Sequence, residues 1–214
     1  ADGEGLAQAN IALVAVTVAE DGVIDACVID SIQSKVNFDA AGAITTDLAA
    51  TFPSKNELGD EYGMRKASSI QKEWNEQAAA FAAYAVGKTV DELKGIAVNE
   101  KGAATDADLA ASVTLAVGDF VGGIEAAVNN AASLGAQKGD KLGLASTTNI
   151  AKSKNASADG EGLAQAYATI AAVTTKGDTI TSCVIDAVQA NVNFDAAGVI
   201  TTDLTAPIDS KNVL

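Results

Sequence analysis

The sequence predicts an α+β protein: an antiparallel β meander packed with helices, repeated in tandem with the second copy incomplete. One observation is an internal repeat. Residues 1–9 (ADGEGLAQA) recur at residues 158–166, and the run that starts at Cys27 recurs from Cys183, so that about 35 of 57 aligned positions are identical. The other observation is a change of hydrophobic period between the copies, from two residues to about 3.6, which separates strands from helices.

Each copy is expected to open with the meander. Residues 12–18 are rich in β-branched side chains, an Asp-Gly turn follows at residues 20–22, and residues 23–30 return, which is the pattern of a β-hairpin. A third short strand is predicted at residues 35–38 and a fourth at residues 44–46, with the turn Asp-Ala-Ala-Gly between them. The result is a small antiparallel sheet in each copy.

Helices are predicted between the two copies. Residues 68–86 are alanine-rich with apolar residues on one face, and Gly87 is a suitable stop signal. A short helix is expected to follow Thr89, because Thr-Val-Asp-Glu has the spacing of a capping box. A third helix is predicted over residues 117–133, and residues 141–150 then start an extended segment that leads into the second copy.

The period of the repeat, about 156 residues, is too long for one unit of a solenoid. We therefore divide the chain into an α+β domain at residues 1–134, a linker at residues 135–140 and a partial second copy, the β half, at residues 141–214. One apolar face of the second sheet is expected to be bare, because no helical half follows to cover it. An uncovered sheet with open edges binds a partner. The incomplete second copy is therefore expected to pair with another protein chain, as in self-association, and the alternative is that the chain is a trimmed piece of a longer array.

The composition argues against several classes of function. The net charge is −14, which argues against nucleic acid as a partner because its phosphates require a basic surface. There is no histidine, which removes Ser-His-Asp and Cys-His nucleophile systems and His-ligated metals. Cys27 and Cys183 lie in equivalent apolar runs, and we expect each to be a buried, unpaired thiol in its own core.

The segment before the third helix contains the candidate attachment residues. Ser112 and Thr114 precede a helix N-terminus, where free backbone N–H groups and the positive end of the helix dipole favour a phosphate. From the residues alone, the simpler interpretation is that both hydroxyls lie in a strand or help to cap the helix.

Several stretches, in their order along the chain, together resemble one known family. They are LGDEYGMRKAS at residues 58–68, KEWNEQ at residues 72–77, GKTVDE at residues 87–92 and DLAASVT at residues 108–114. In these stretches the chain resembles the flavinylated surface lipoproteins of Gram-positive bacteria that serve extracellular electron transfer, the peptide-pheromone-encoding lipoprotein A type. The resemblance covers the first domain and extends through the partial repeat.

That resemblance implies FMN joined covalently to a threonine by a phosphoester, installed by a separate FMN transferase. In the related FMN-binding domains of sodium-pumping and Rnf-type redox complexes, the threonine ends a Ser-Gly-Ala-Thr motif before a helix. Ala-Ser-Val-Thr at residues 111–114 aligns with that motif, so Thr114 is the implied acceptor and Ser112 the second candidate. Tyr62, Met64 and Trp74 are the candidates to shelter the flavin ring, and Trp74 has the alternative interpretation of a core residue.

The function implied by the resemblance is electron transfer, and the chain itself is not expected to be an enzyme. Reducing equivalents would pass from a membrane quinone-linked dehydrogenase to the attached FMN and on to another flavin or a terminal acceptor. The protein would be extracytosolic, at the cell surface or secreted, with no membrane anchor within this chain. The alternative is a cofactor-free structural or assembly repeat of a bacterial surface protein, which would be colourless where the carrier is yellow.

Overall fold

The structure, a computed structural model, describes residues 4–206 and 208–212, so the duplicated stretch at residues 1–9 begins outside the described residues. Its strands form two antiparallel sheets, one of two strands and one of three. In chain order the strands are β1 (Gly5–Val18), β2 (Ile24–Phe38), β3 (Lys141–Asn149), β4 (Gly162–Lys176) and β5 (Thr179–Phe194). Together with the helices, these sheets confirm the predicted α+β class.

The helices lie between the two sheets in sequence: α1 (Lys55–Leu58), α2 (Trp74–Ala85), α3 (Val90–Lys94), α4 (Ala107–Ala110) and α5 (Gly118–Asn129), with a 3₁₀ turn at Gly59–Tyr62. The capping box at Thr89 is confirmed and precedes α3. α2 begins later than predicted because the chain turns before it, and Gln71 has a φ of 54°, in the left-handed region that helices exclude. α5 also ends earlier than predicted, at Asn129.

The predicted four-stranded meander is wrong in its second half. Residues 35–38 are the end of β2, which continues without a break because no glycine or proline interrupts the alternating pattern. The predicted fourth strand is reduced to a single bridge between Phe38 and Ile44. Each copy therefore contributes one long hairpin.

The duplicated sequence forms two hairpins that pair in the same register. Gly5 lies opposite Phe38 in the first hairpin, and Gly162 lies opposite Phe194 in the second. A Cβ atom on either glycine would lie 2.3 Å from the facing phenylalanine ring. Each ring therefore covers its glycine, and a larger residue does not fit at either position.

The two hairpins pack face to face, a contact that no pattern in the sequence predicts. Phe38 and Phe194 are fully buried, and their rings stack with centroids 4.1 Å apart. Alternate residues of each strand line the rest of this interface, because successive side chains point to opposite faces. They are small or aliphatic: Ala7, Ile11, Leu13, Ile32, Val36, Ala164, Ala168 and Val192.

The turns that follow β2 and β5 also meet. Gly42 has a φ of 71° and Gly198 a φ of 70°. A Cβ atom on Gly42 would lie 3.0 Å from the carbonyl oxygen of Asp195. A Cβ atom on Gly198 would lie 3.0 Å from the carbonyl oxygen of Asp39. The contact is nearly symmetric, and each turn requires glycine both for its backbone conformation and for the close approach of the other.

Helices α2 and α5 cover the opposite face of the first hairpin. Ile24 and Ile29 of β2 are buried beneath them with Phe81 of α2 and Ile124 of α5. Burial of large aliphatic and aromatic side chains in this core stabilises the helical part by about 1.5–3 kcal/mol for each side chain. The first hairpin is thus covered on one face by helices and on the other by the second hairpin.

The corresponding face of the second hairpin has no helix over it among the described residues. Ile180 is 63% exposed, whereas its counterpart Ile24 is 0% exposed. Ile185 is 62% exposed, whereas its counterpart Ile29 is 3% exposed. The bare apolar face predicted for the second sheet is confirmed at these positions.

The prediction that both cysteines are buried is wrong for Cys183, which is exposed because it lies on that bare face. Its counterpart Cys27 is partly buried and packs against the helical core. Both thiols are unpaired, as predicted. Burial raises the pKa of the Cys27 thiol to about 12.

Alkylation should therefore discriminate between the two thiols. At pH 8 we expect iodoacetamide to modify Cys183 at least about tenfold faster than Cys27, because the reactive thiolate of Cys27 is suppressed. Folding raises the pKa of Cys27 from 9.0 to about 12, so the folded state favours the protonated thiol. The stability that comes from burying this protonated thiol is fully present below pH 9 and is lost as the pH rises toward 12. Peptide mass spectrometry measures both alkylation rates. They should converge in urea, and equal rates in the folded protein would contradict the burial of Cys27.

Candidate functional site

The candidate site residues surround the first turn of α2. Glu73, which precedes the helix, is almost fully buried. Its carboxylate accepts hydrogen bonds from the backbone N–H groups of Met64 and Arg65, each at 2.8 Å. Its own N–H donates to the carboxylate of Glu76 at 2.7 Å. Glu73 thereby fixes residues 63–72 against the start of the helix, and the two N–H donors compensate for its burial.

Gln77 lies one turn further along α2 and holds Thr114. Its amide oxygen accepts hydrogen bonds from the N–H of Thr114 at 2.8 Å and from its hydroxyl at 3.2 Å. The Gln77 amide nitrogen donates to Oγ of Ser68 at 3.1 Å and to the carbonyl oxygen of Lys72 at 3.3 Å. Because Gln77 is fully buried and uses all four of its hydrogen-bonding capacities, it holds Thr114 in one position.

Thr114 is half-buried in the turn between α4 and α5. Its neighbour Val113 is fully buried and anchors this turn in the core. When the Thr114 hydroxyl donates to Gln77, the lone pairs on Oγ1 stay available to form a bond with an electrophile. Ser112 is also half-buried, and its hydroxyl makes no hydrogen bond within the described part of the chain. Of the two candidate acceptors, Thr114 is the one whose side chain is oriented.

The three predicted ring-contact residues lie together, but Trp74 belongs to the core. It is 7% exposed, and its ring meets Phe120 edge-on with centroids 5.9 Å apart. Tyr62 and Met64 are half-buried and pack against the same core. Nζ of Lys55 lies 4.8 Å from the ring centroids of both Tyr62 and Trp74. Tyr62 and Met64 are therefore partly exposed at this site, and Trp74 belongs to the buried core against which they pack.

Arg65, the chain's single arginine, organises the charged rim of the site. Its guanidinium donates to Asp60 at 2.5 Å and pairs with Glu76 at 3.0 Å. It also donates to the carbonyl oxygen of Gln71, the residue with the left-handed backbone, at 3.0 Å. The hydrogen bond with Asp60 raises the pKa of Arg65 above its ordinary value. The permanent positive charge of Arg65 thus fixes the turn that precedes α2.

The residues present fit a phosphoester at Thr114, because that linkage requires one accessible, oriented hydroxyl and no resident base. They do not surround a bound ring. A groove of about 370 Å³ lies between α2 and β2, and it is lined by Cys27, Val28, Ile29, Asn56, Asn75, Ala79, Ala82, Ala83 and Val86. None of the predicted site residues lines this groove. A flavin ring joined to Thr114 would therefore rest on the surface.

Glu73 and Gln77 belong to this site, although neither is among the site residues predicted from the sequence. The signal that could have found Gln77 is its position, since it shares the buried face of α2 with Ala78 and Phe81. A polar side chain on an otherwise apolar helix face needs a buried partner. Glu73 gives a weaker signal, because a carboxylate just before a helix is usually an exposed cap.

No helix in the described part of the chain is both long enough and apolar enough to cross a bilayer. Within residues 4–206 and 208–212, no group of three or more cysteine or acidic side chains could hold a metal ion. No family model matches the chain, and no curated protein or solved structure shows significant similarity to it.

Proposed function

We propose that this protein is an extracytosolic electron carrier in which FMN is attached to Thr114 through a phosphoester. The observation that carries the proposal is the pairing of Gln77 with Thr114, which holds a half-buried hydroxyl against the first turns of α2. The resemblance of residues 58–114 to flavinylated lipoproteins supplies the identity of the group.

Attachment requires one reactive atom from this chain. Oγ1 of Thr114 attacks the flavin-side phosphorus of a flavin phosphoanhydride that the FMN transferase binds and gives up its proton to a base of that enzyme. The anhydride P–O bond breaks as the new P–O bond forms, and the other half of the anhydride leaves as a phosphate monoester. Gln77 keeps the turn in place before and after attachment, because its bond to the Thr114 N–H does not involve the hydroxyl. When bound, FMN supplies reversible one- and two-electron transfer.

The proposed partners are a membrane quinone-linked dehydrogenase as electron donor and another flavin or a terminal acceptor. A relay of this kind transfers electrons through an exposed ring edge and requires no substrate pocket. The partly exposed position of Thr114, outside any enclosed pocket among the described residues, favours such a role over turnover of a bound substrate.

Thr114→Val tests the proposal because valine has nearly the same shape and lacks the hydroxyl. When co-produced with an FMN transferase, the native chain should be yellow and carry flavin on the peptide that contains Thr114. The Thr114→Val chain should carry none and keep its circular dichroism spectrum. Thr114→Ser, which retains an acceptor oxygen, and Ser112→Ala are the matched controls, and both should keep flavin. Flavin on the valine variant, or a colourless native chain beside an active transferase, would contradict the assignment.

A cofactor-free assembly repeat is the second candidate. It is favoured by the way in which the duplicated hairpins pack on each other through Phe38 and Phe194. Visible absorption separates the two functions, because only the carrier would contain a coloured flavin.

A further inference from the structure

The outer edge of β1 carries a row of unpaired backbone groups. β1 pairs with β2 alone, and apart from that pairing no backbone N–H or C=O of residues 6–18 forms a hydrogen bond within the described part of the chain. The outer edge of β2, by contrast, is partly occupied. Lys88 and Gly87 bond to the backbone of Ile24, and the side chain of Asn56 donates to the carbonyl oxygen of Ile29.

Before the bulge at Thr17 and Val18, β1 also lacks the charged residues and prolines by which proteins protect such an edge. Its fourteen residues, GLAQANIALVAVTV, include no charged residue and no proline. Long, apolar, unprotected edges pair readily with other strands. This edge is therefore suited to receive a further strand.

The second copy shows which kind of strand fits. β4 is the counterpart of β1, and along the corresponding edge it pairs with β3 from Lys141 to Asn149. Further along that edge, the N–H and C=O of Gln165 are both bound by the hydroxyl of Ser153, at 3.0 Å and 3.3 Å. The backbone of Gln8, the counterpart of Gln165, has no such partner among the described residues.

β3 also reaches across to the first copy. The hydroxyl of Thr148 accepts from the N–H of Phe52 at 2.7 Å and donates to its carbonyl oxygen at 3.0 Å. By the near symmetry of the two hairpins, a strand along β1 would reach the counterpart of Phe52, which is Ile208. Ile208 is 56% exposed.

The residues that follow β3 make a third contact, with the first copy, and its counterpart in the second copy is again unfilled. The N–H of Ala156 donates to the carbonyl oxygen of Gly42 at 2.8 Å. The carbonyl oxygen of Gly198, the counterpart of Gly42, accepts no backbone hydrogen bond from any described residue. A segment that runs from the edge of β1 toward Gly198 would supply one.

Charge favours an occupant with the composition of residues 141–156, which contain three lysines and no acidic residue, whereas the whole chain carries −14. We propose that the outer edge of β1 binds an extended segment of another polypeptide with the pattern of residues 141–156. That segment has aliphatic residues at alternate positions, a hydroxyl opposite Ile208 and a net positive charge. The proposal does not depend on a cofactor at Thr114.

A fluorescent synthetic peptide of residues 141–156 is the probe, and the full chain is its partner. We expect saturable binding by fluorescence anisotropy, weaker at high salt, with slower amide hydrogen exchange at residues 6–18. N-methylation of the peptide tests which of its two edges forms the hydrogen bonds. Methyl groups at Ala145 and Thr147, whose N–H groups face the neighbouring strand by the alternation of an antiparallel ladder, should weaken binding at least about tenfold. Methyl groups at Leu144 and Ser146, which face away, should change it less than about threefold.

Cross-linking identifies the edge that the peptide occupies. Thr147 pairs with Thr169 of β4, whose counterpart in β1 is Ala12. In a chain lacking both native cysteines, Ala12→Cys should form a disulfide with a peptide carrying Thr147→Cys, because opposed residues lie within the usual disulfide range. Capture by Thr169→Cys instead would mean that the peptide displaces β3. That result, or self-association of the chain without peptide binding, would overturn the proposal.

Discussion

Replacing Phe38 with alanine should lower the free energy of unfolding by about 3–5 kcal/mol, the usual effect of truncating a buried phenylalanine. The ring is fully buried, stacks on Phe194 and covers Gly5. Its removal leaves a cavity between the two hairpins and uncovers the glycine. A loss of that size is a large part of the 5–15 kcal/mol that stabilises a typical domain.

Urea unfolding followed by circular dichroism measures this loss, and a double-mutant cycle with Phe194→Ala assigns part of it to the ring pair. We expect a coupling of about 0.5–1.5 kcal/mol, because either truncation alone already abolishes the stack. Leu204→Ala is the control, since Leu204 is exposed, and it should change stability by less than about 0.5 kcal/mol. Strictly additive effects of the two phenylalanine substitutions would show that the hairpins do not pack as described.

Glu73→Ala should destabilise the protein by about 2–4 kcal/mol, because it leaves the N–H groups of Met64 and Arg65 without their acceptor. The loop that carries Tyr62 and Met64 should loosen, and the neighbouring Trp74 should become more exposed. Trp74 is the chain's single tryptophan, so its fluorescence emission reports this change directly. We expect a red shift in Glu73→Ala under conditions in which the native chain is folded.

Glu73→Gln separates shape from charge in this interaction. Its amide keeps one acceptor oxygen, so it can bond one of the two N–H groups and should lose less stability than Glu73→Ala. Glu61→Ala removes an exposed carboxylate nearby and should be close to neutral. If Glu73→Ala is as stable as Glu61→Ala, the carboxylate of Glu73 does not fix the loop.

Short sequence patterns correctly predicted the elements that depend on residues close together in the chain. The capping box at Thr89 and the Asp-Gly turn before β2 depend on residues within one turn of each other, and both are present in the structure. The length of β2 was misjudged because Asp-Ala-Ala-Gly suggested a sheet with several short strands. The start of α2 was misjudged because Glu73 and Arg65 together hold the preceding residues in a turn, and that interaction is invisible in a helical pattern.

The rest of the fold and of the site depends on contacts between distant residues. Nothing in the periodicity of either copy indicates that Phe38 stacks on Phe194, because each looks like an ordinary strand end. The pairing of Gln77 with Thr114 joins two helical regions and was likewise out of reach. Cys183 is exposed because no helix among residues 4–206 and 208–212 covers its face, whereas its own sequence context is as apolar as that of Cys27.

All the helices of the described residues lie in sequence between the two hairpins that pack together, and this separation affects folding. Each hairpin closes locally, whereas the contact of Phe38 with Phe194 joins residues nearly three quarters of the chain apart. Closing so long a loop has an entropic cost, and proteins rich in distant contacts fold slowly. During that interval, the hairpins of a second molecule compete with the intramolecular pair, because every copy of the chain offers the same hairpin faces. Newly made chains at high local concentration are thus exposed to hairpin exchange, a form of misassembly characteristic of repeated sequences.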